Sequence, residues 1–329
     1  REKWDDIFSE KYPNGFTADN LNFHDESPEE MAVLNYTSGT TSAPKGVMLP
    51  YRSLWSNTDF AIEKIPFVST GDGIVCMLPM AHMYGLAFEI LLGIAKGCHI
   101  NFLTRVPSPQ IIMGAFAKIK PTLVLAVPLI IEKIIQGRVF PELKKQPTKT
   151  LLQIPGLRNI VYKKVHAKLM ETFGGQLKEV VIGGAALNKE VGDFLTAIRF
   201  PYTVGYGMTE CGPLIAYEYW EDYAKESCGK VVSRMEVKIE STDPENIPGE
   251  ILTKGTNVML GYFKNEEATK ATFDDEGWLK TGDLGIMDKK GNIFIKGRSK
   301  TMILGPSGQN IYPEEIESMI NNLDYVAES

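Results

Sequence analysis

The sequence predicts an α/β protein, a mainly parallel layered sheet with helices packed on it, and three observations carry that prediction. Short apolar runs alternate with helical patterns between Met31 and about Tyr217. Several runs recur at roughly twenty-residue spacing, which suits a strand–helix–strand rhythm. Pro109 and Pro128 stand where helices can begin, because proline is tolerated in a first helical turn. The predicted strands are Ala32–Asn35, Ile74–Leu78, His99–Leu103, Leu123–Ala126, Glu179–Ile182 and Tyr202–Val204. Between them the predicted helices are Leu86–Ala95, Pro109–Ala117, Leu129–Gln136, Lys163–Phe173 and Lys189–Ile198.

The pattern changes near Cys228. Met235 to Ile239 alternates strictly, Gly249 to Thr253 follows, and Ile286 to Ile295 reads as a hairpin turning at Lys289-Lys-Gly-Asn. Residues 228–296 are therefore expected to form a small β-subdomain beside the α/β part, residues 1–227. After Gly297 comes a basic stretch, a Gly-rich loop and a helix start at Pro313–Ile320. A segment of that length buries no useful core alone, so residues 297–329 read as a hinge and the start of a truncated C-terminal domain.

Whole-chain numbers exclude several classes. A net charge of −6 argues against a nucleic-acid or acidic-membrane partner. No run resembles a signal peptide, and none approaches the roughly 20 apolar residues of a membrane span. The longest attempt, Leu86–Ala95, contains Glu89 and reads as a core helix. Cys76, Cys98, Cys211 and Cys228 form no close pair, and His24, His82, His99 and His166 are equally scattered. Neither a disulfide framework nor a zinc site is suggested. The expected location is cytoplasmic, with peripheral contact to a membrane that supplies substrate as the other setting.

Tyr36 to Gly46 reads Tyr-Thr-Ser-Gly-Thr-Thr-Ser-Ala-Pro-Lys-Gly. Thr37, Ser38, Thr40, Thr41 and Ser42 crowd around Gly39, and Lys45 follows. Hydroxyls donate to phosphate or ligate magnesium, glycine lets backbone N–H groups converge on an anion, and lysine adds a point charge. A solvated turn has the same composition. The Walker pattern is absent, since Lys45 follows Pro44 and precedes Gly46. Gly205-Tyr-Gly207 also lacks the third glycine of a dinucleotide fold.

Further along, Gly205-Tyr206-Gly207-Met208-Thr209-Glu210 follows a strand. Its ring could lie against a base, and its hydroxyl and carboxylate could serve phosphate and magnesium. Gly183-Gly184-Ala185 could offer bare backbone to an adenine edge or make a tight turn. Asp283, in Thr-Gly-Asp, could take ribose hydroxyls or simply close a turn. Arg298 and Lys300 form either a solvated basic patch or a contact to sugar and phosphate. His82, Met83 and Tyr84 lie at a strand end, where α/β sheets place ligands.

The order of these segments resembles the adenylate-forming acyl-CoA synthetases, in particular their long-chain fatty-acid–CoA ligases, from about Ala32 to the C-terminus. The resemblance implies ATP, Mg²⁺ and CoA, with a fatty acid as substrate. It implies that Thr37, Ser38, Gly39, Thr40, Thr41 and Lys45 hold the β- and γ-phosphates, with Thr40 near magnesium. Gly184 and Ala185 would border the adenine, and Tyr206 within Gly205–Met208 would stack on it. Thr209 would touch the α-phosphate and Glu210 would hold magnesium, which makes Thr40, Lys45, Thr209 and Glu210 the implied catalytic set. Asp283 would bind the ribose with Arg298, Lys300 would fall at a hinge, and His82, Met83 and Tyr84 would border the acyl carboxylate.

The chain departs from the family at three places. Ser42 replaces the usual glycine, Ser307 precedes Gly308 where lysine is common, and no Pro-x-Thr-x-x-Gly-Lys segment with the adenylation lysine occurs. The expectation is a fragment that holds ATP better than it uses it. An acyl-carrier-protein ligase, a ligase for another acid and a catalytically silent nucleotide-binding relative share these motifs.

Overall fold

The computed structural model describes residues 2–21, 25–37, 44–105, 107–299, 301, 303–304, 310–311, 313–320 and 326. Leu123–Ala126, Glu179–Ile182 and Tyr202–Val204 pair in parallel as a three-stranded sheet, with the bounds the sequence predicts. Every residue of these strands is buried, which is why they read as continuous runs and not as alternation. A second parallel pair joins Gly73–Cys76 to His99–Phe102.

Helices make the crossovers. Between Cys76 and His99 the helix runs as Met83–Gly85, a widened π stretch Leu86–Leu91, and Leu92–Lys96. Pro109–Ile119 follows, its first turn capped by the Ser108 hydroxyl accepting from the Ile111 N–H. Lys189–Ala197 is capped in the same way by Asn188. The long crossover from Ala126 to Glu179 holds Pro128–Ile134, Phe140–Lys144, Thr148–Gln153 and Pro155–Thr172.

Parallel pairing stays within these units, and hairpins surround them. Met31–Tyr36 pairs antiparallel with Gly46–Pro50, which also pairs with Gly261–Tyr262. Tyr206–Gly207, Leu214–Tyr217 and Lys230–Val231 form another antiparallel set. Met235–Glu240, Gly249–Gly255, Leu279–Met287 and Ile293–Arg298 make a four-stranded antiparallel sheet in that order, as the alternation in residues 228–296 implies. One cluster of buried side chains runs from Phe116, stacked on Phe173, through Ile182 and Ile215 to Ile251 and Leu279. No helix among the described residues is long and apolar enough to cross a membrane.

Candidate active site

The C-terminal ends of the parallel strands open into one cleft of about 610 Å³, lined by the segments that follow Cys76, Ala126, Ile182 and Val204. Such strand ends are where open α/β sheets hold ligands. The cleft gathers Thr37, Lys45, His82, Met83, Tyr84, Gly184, Gly205, Tyr206, Gly207, Met208, Thr209, Glu210, Asp283 and Arg298. These residues come from six segments separated in sequence. Ala185 is exposed and is not among the lining residues. Ser38, Gly39, Thr40, Thr41 and Lys300 lie outside the described residues.

The hydroxyl-rich loop springs from a hairpin. Tyr36 is registered against Gly46, and the Thr37 N–H donates to the Lys45 carbonyl at 3.0 Å, so the two ends of the loop are tied together. Lys45 Nζ lies 4.2 Å from the centroid of the Tyr262 ring, a cation–π contact that orients the ammonium. The Tyr262 hydroxyl donates to Glu210 Oε1 at 2.7 Å. Burial, then the Glu210 charge, pushes the Tyr262 hydroxyl above its ordinary range, so it stays a donor. Lysine, ring and carboxylate therefore form one chain.

Glu210 is only 7% exposed and sits in a short turn, Thr209–Cys211, whose backbone is held on both sides. The Met259 N–H donates to the Glu210 carbonyl at 2.8 Å. Asn57, fully buried on the helix Tyr51–Lys64, donates to the Cys211 carbonyl and accepts from the Leu214 N–H. Gly212 closes the turn at φ 60°, a left-handed angle glycine adopts without strain. Gly207 is needed for space, since a Cβ there would collide with the Pro213 carbonyl. Among the described residues no group of three or more His, Cys, Asp or Glu side chains could hold a metal ion. Magnesium, however, commonly takes one or two carboxylates plus substrate phosphates. Glu210 fits that need, because one of its oxygens accepts from Tyr262 and a carboxylate has further acceptor sites.

In the same cleft the Tyr206 hydroxyl donates to Asp283 Oδ2 at 2.7 Å, and Arg298 Nε lies 3.3 Å from Asp283 Oδ1. Asp283 and Arg298 face each other directly across their two strands. Burial foremost, then the Asp283 charge, drives the Tyr206 hydroxyl well above its usual range. Tyr206 is thus a fixed donor to Asp283.

The remaining wall is apolar, with Phe60, Ala61, Ile65, Leu78, Phe88 and Leu214 among its residues. His82, which is exposed, Met83, which is buried, and half-buried Tyr84 also line the cleft. Two ties hold their loop: Asn35 Nδ2 donates to the Ala81 carbonyl at 2.6 Å, and the Tyr84 hydroxyl donates to the Val181 carbonyl at 2.9 Å. Glu89, 1% exposed inside the π stretch, accepts from the Met77 and Leu78 N–H groups at 3.1 and 3.3 Å. Burial lifts its carboxyl to about 8, against the lowering by those two donors. Tyr217, which also lines the cleft, donates to the buried Glu179 at 2.6 Å, and burial lifts Glu179 to about 7.

Asn57, Tyr262 and Glu89 were not singled out from the sequence. Glu89 carried a usable signal, a polar residue within the apolar helical pattern Leu86–Ala95, whereas Asn57 lies in a helix the sequence did not reveal. Tyr262 carried none, because it reaches Glu210 only through the pairing of Gly261–Tyr262 with Gly46–Pro50.

Residues 3–263 match the family described as AMP-binding enzyme. The chain belongs to that family. It is 29% identical to long-chain-fatty-acid–CoA ligase 1 of Saccharomyces cerevisiae, over 94% of this chain and 48% of that protein. It is 31% identical to 4-coumarate–CoA ligase 1 of Oryza sativa subsp. japonica, over 96% of this chain and 53% of that protein. Among solved structures, ATP-bound MatB from Rhodopseudomonas palustris superposes with a TM-score of 0.75 at 26% identity, covering 94% of this chain and 56% of that one. O-succinylbenzoate coenzyme A synthetase from Bacillus subtilis, in complex with AMP, gives 0.73 at 27%, covering 92% and 56%. The chain spans about half the length of the relatives it matches.

Proposed function

We propose that this chain carries the nucleotide- and acid-binding cleft of an ATP-dependent fatty-acid–CoA ligase. The observation behind the proposal is a cleft lined together by Lys45, Glu210, Tyr206, Asp283 and Arg298 and by apolar side chains such as Phe60, Ile65 and Phe88, with Tyr262 linking Lys45 to Glu210. Polar groups at one end suit a nucleotide, and the apolar end suits the tail of an acid.

In the proposed reaction a carboxylate oxygen of the acid attacks the α-phosphorus of ATP and pyrophosphate leaves, giving an acyl-adenylate. The CoA thiolate then attacks the acyl carbon and AMP leaves with the bonding electrons. Asp283 accepts from the ribose hydroxyls, with Tyr206 and Arg298 fixing its orientation. Lys45, together with the hydroxyl loop Thr37–Thr41, neutralises the departing phosphates, and Thr209 donates to the α-phosphate. Glu210 would hold Mg²⁺, which supplies charge neutralisation on the phosphates when bound. His82, Met83 and Tyr84 orient the acid carboxylate.

A second reading, an aryl acid such as a coumarate, is favoured by the 31% identity to the rice enzyme. The decisive experiment is isothermal titration with non-hydrolysable acyl-sulfamoyl-adenosines bearing either aliphatic tails of increasing length or a cinnamoyl group. Binding is the chosen readout because it reports the cleft itself and does not require a complete catalytic cycle. Affinity that rises with aliphatic length supports the fatty-acid reading, and preference for cinnamoyl replaces it with the aryl one. Binding of neither mimic nor ATP·Mg²⁺ by the folded chain would leave a nucleotide-free scaffold instead.

A further inference from the structure

We infer that the helices between Phe140 and Thr172 dock on an anionic phospholipid surface. The inference starts from charge and does not depend on which acid the cleft takes. Seven Lys and Arg residues stand against two Glu in this stretch, a net charge of +5 in a chain that carries −6. The whole-chain figure argues against an acidic membrane, yet charges separated by more than about 8–10 Å are screened at ordinary salt, so a surface responds to the local balance.

On the long helix, three of these cations share a side with two aliphatic residues, and exposed Glu171 is the one acid near them on that helix. In Pro155–Thr172 the inward positions are Val161 and Leu169. Leu157, Ile160, Lys164 and Lys168 follow one another at spacings of three and four, which places them on a common face, and all are exposed. Lys163 stands three residues from Ile160 and is exposed as well. Lys145 pairs with Glu142 at 2.5 Å. Lys145 first, and Lys168 more weakly, hold the Glu142 carboxyl below its ordinary range, so the shorter helix and the longer one bring their charges together.

Apolar side chains lie among these cations. All residues from Gln153 to Ile160 are exposed, including Ile154 at 46%, Leu157 at 36% and Ile160 at 52%. Lysines alone would match any polyanion. Branched aliphatic side chains set beside them match a bilayer interface, where apolar groups enter the acyl boundary while lysines reach lipid phosphates. The stems of the lysines can lie along the same boundary with their ammonium groups in water. An acidic protein partner would satisfy the charge and leave the aliphatic groups without a counterpart.

Co-sedimentation of the whole chain with vesicles tests this directly, using phosphatidylcholine alone and phosphatidylcholine mixed with phosphatidylserine. Binding is expected only to the serine-containing vesicles and is lost in high salt. Each of Lys163→Gln, Lys164→Gln and Lys168→Gln should lower the partition about fivefold, and the three together about a hundredfold. Leu157→Ser with Ile160→Ser, which leaves the charge unchanged, should also weaken binding. Equal binding to both vesicle types, or a triple variant that sediments like the parent, overturns the inference. So does capture of an acidic acyl-carrier protein without any vesicle binding. Unchanged thermal melting shows that the variants fold, and the salt dependence of the parent reads the same property without any substitution. Vesicle binding needs neither ATP nor an acid, so its failure is distinguishable from failure of the ligase reading.

Discussion

In the cleft, charged groups are held one by one by neighbours from distant parts of the chain. Lys45 rests on Tyr262, Tyr262 donates to Glu210, and Asp283 is gripped by Tyr206 and Arg298. Between Phe140 and Thr172 the arrangement is reversed. Like charges are neighbours in sequence and face solvent, and Lys163 and Lys164 make no ion pair among the described residues. The two regions use charge for different purposes. Oriented groups in a partly dry cleft stabilise charge where it develops in a reaction. An outward basic face acts through its field on a large partner and tolerates imprecise geometry. Substitutions should therefore be costly and specific in the cleft, but graded and additive on the helices.

The largest expected effect is at Glu210. If the proposed reaction is right, Glu210→Ala should lower ATP–pyrophosphate exchange about 10²–10³-fold, the usual cost of losing one preorganised electrostatic group. Near-normal exchange would show that the buried carboxylate serves the turn and not the reaction.

Glu89 tests whether the carboxyl that binds the Met77 and Leu78 amides is tuned by burial. Its folded-state value of about 8 lies above the ordinary 4.5, so the folded chain binds the extra proton. The corresponding stability is present below about pH 4.5 and is lost as pH rises through about 8. Glu89→Gln should flatten the fall of unfolding free energy across that window by roughly 1 kcal/mol per pH unit. Urea melts between pH 5 and 8 measure it. Glu179 adds a slope of the same sign up to about 7, so some fall persists in the variant. An unchanged slope would mean that Glu89 is not the group responsible.

Tyr206→Phe removes one donor from Asp283 and leaves Arg298 in place. Nucleotide affinity should fall about tenfold by titration, as expected for a partly buried charge that loses one hydrogen bond. No change would place the ribose contact elsewhere.

The contrast between the regions also explains what the sequence revealed. Buried parallel strands such as Leu123–Ala126 and Glu179–Ile182 were legible as apolar runs between turn residues, and most of the cleft was legible as ordered motifs. The strand Gly46–Pro50 and the helix Tyr51–Lys64 were missed. Their residues mix Ser, Asn and aromatics whose burial depends on the Cys211–Leu214 turn they support. The helix expected from Lys163 begins at Pro155, because its exposed first turns carry apolar residues where periodicity predicts polar ones. The π stretch Leu86–Leu91 was illegible for a similar reason, since the Glu89 carboxylate there is engaged by the Met77 and Leu78 amides. Sequence patterns report how each segment packs on its own account. These departures arise where a segment serves a distant one or faces a partner.

The smallest expected effect sharpens the comparison most. Lys163→Gln and Lys164→Gln should each change unfolding free energy by no more than about 0.5 kcal/mol, the usual range for surface substitutions away from special features. Removing one of several like charges relieves repulsion, so any change should favour the folded state. Thermal melting at low and high salt checks this, with the difference between variant and parent shrinking as salt rises. A clear loss of stability in either variant would mean that these lysines hold the helices together. The charge between Phe140 and Thr172 would then be structural, as in the cleft, and the two regions would no longer differ in kind.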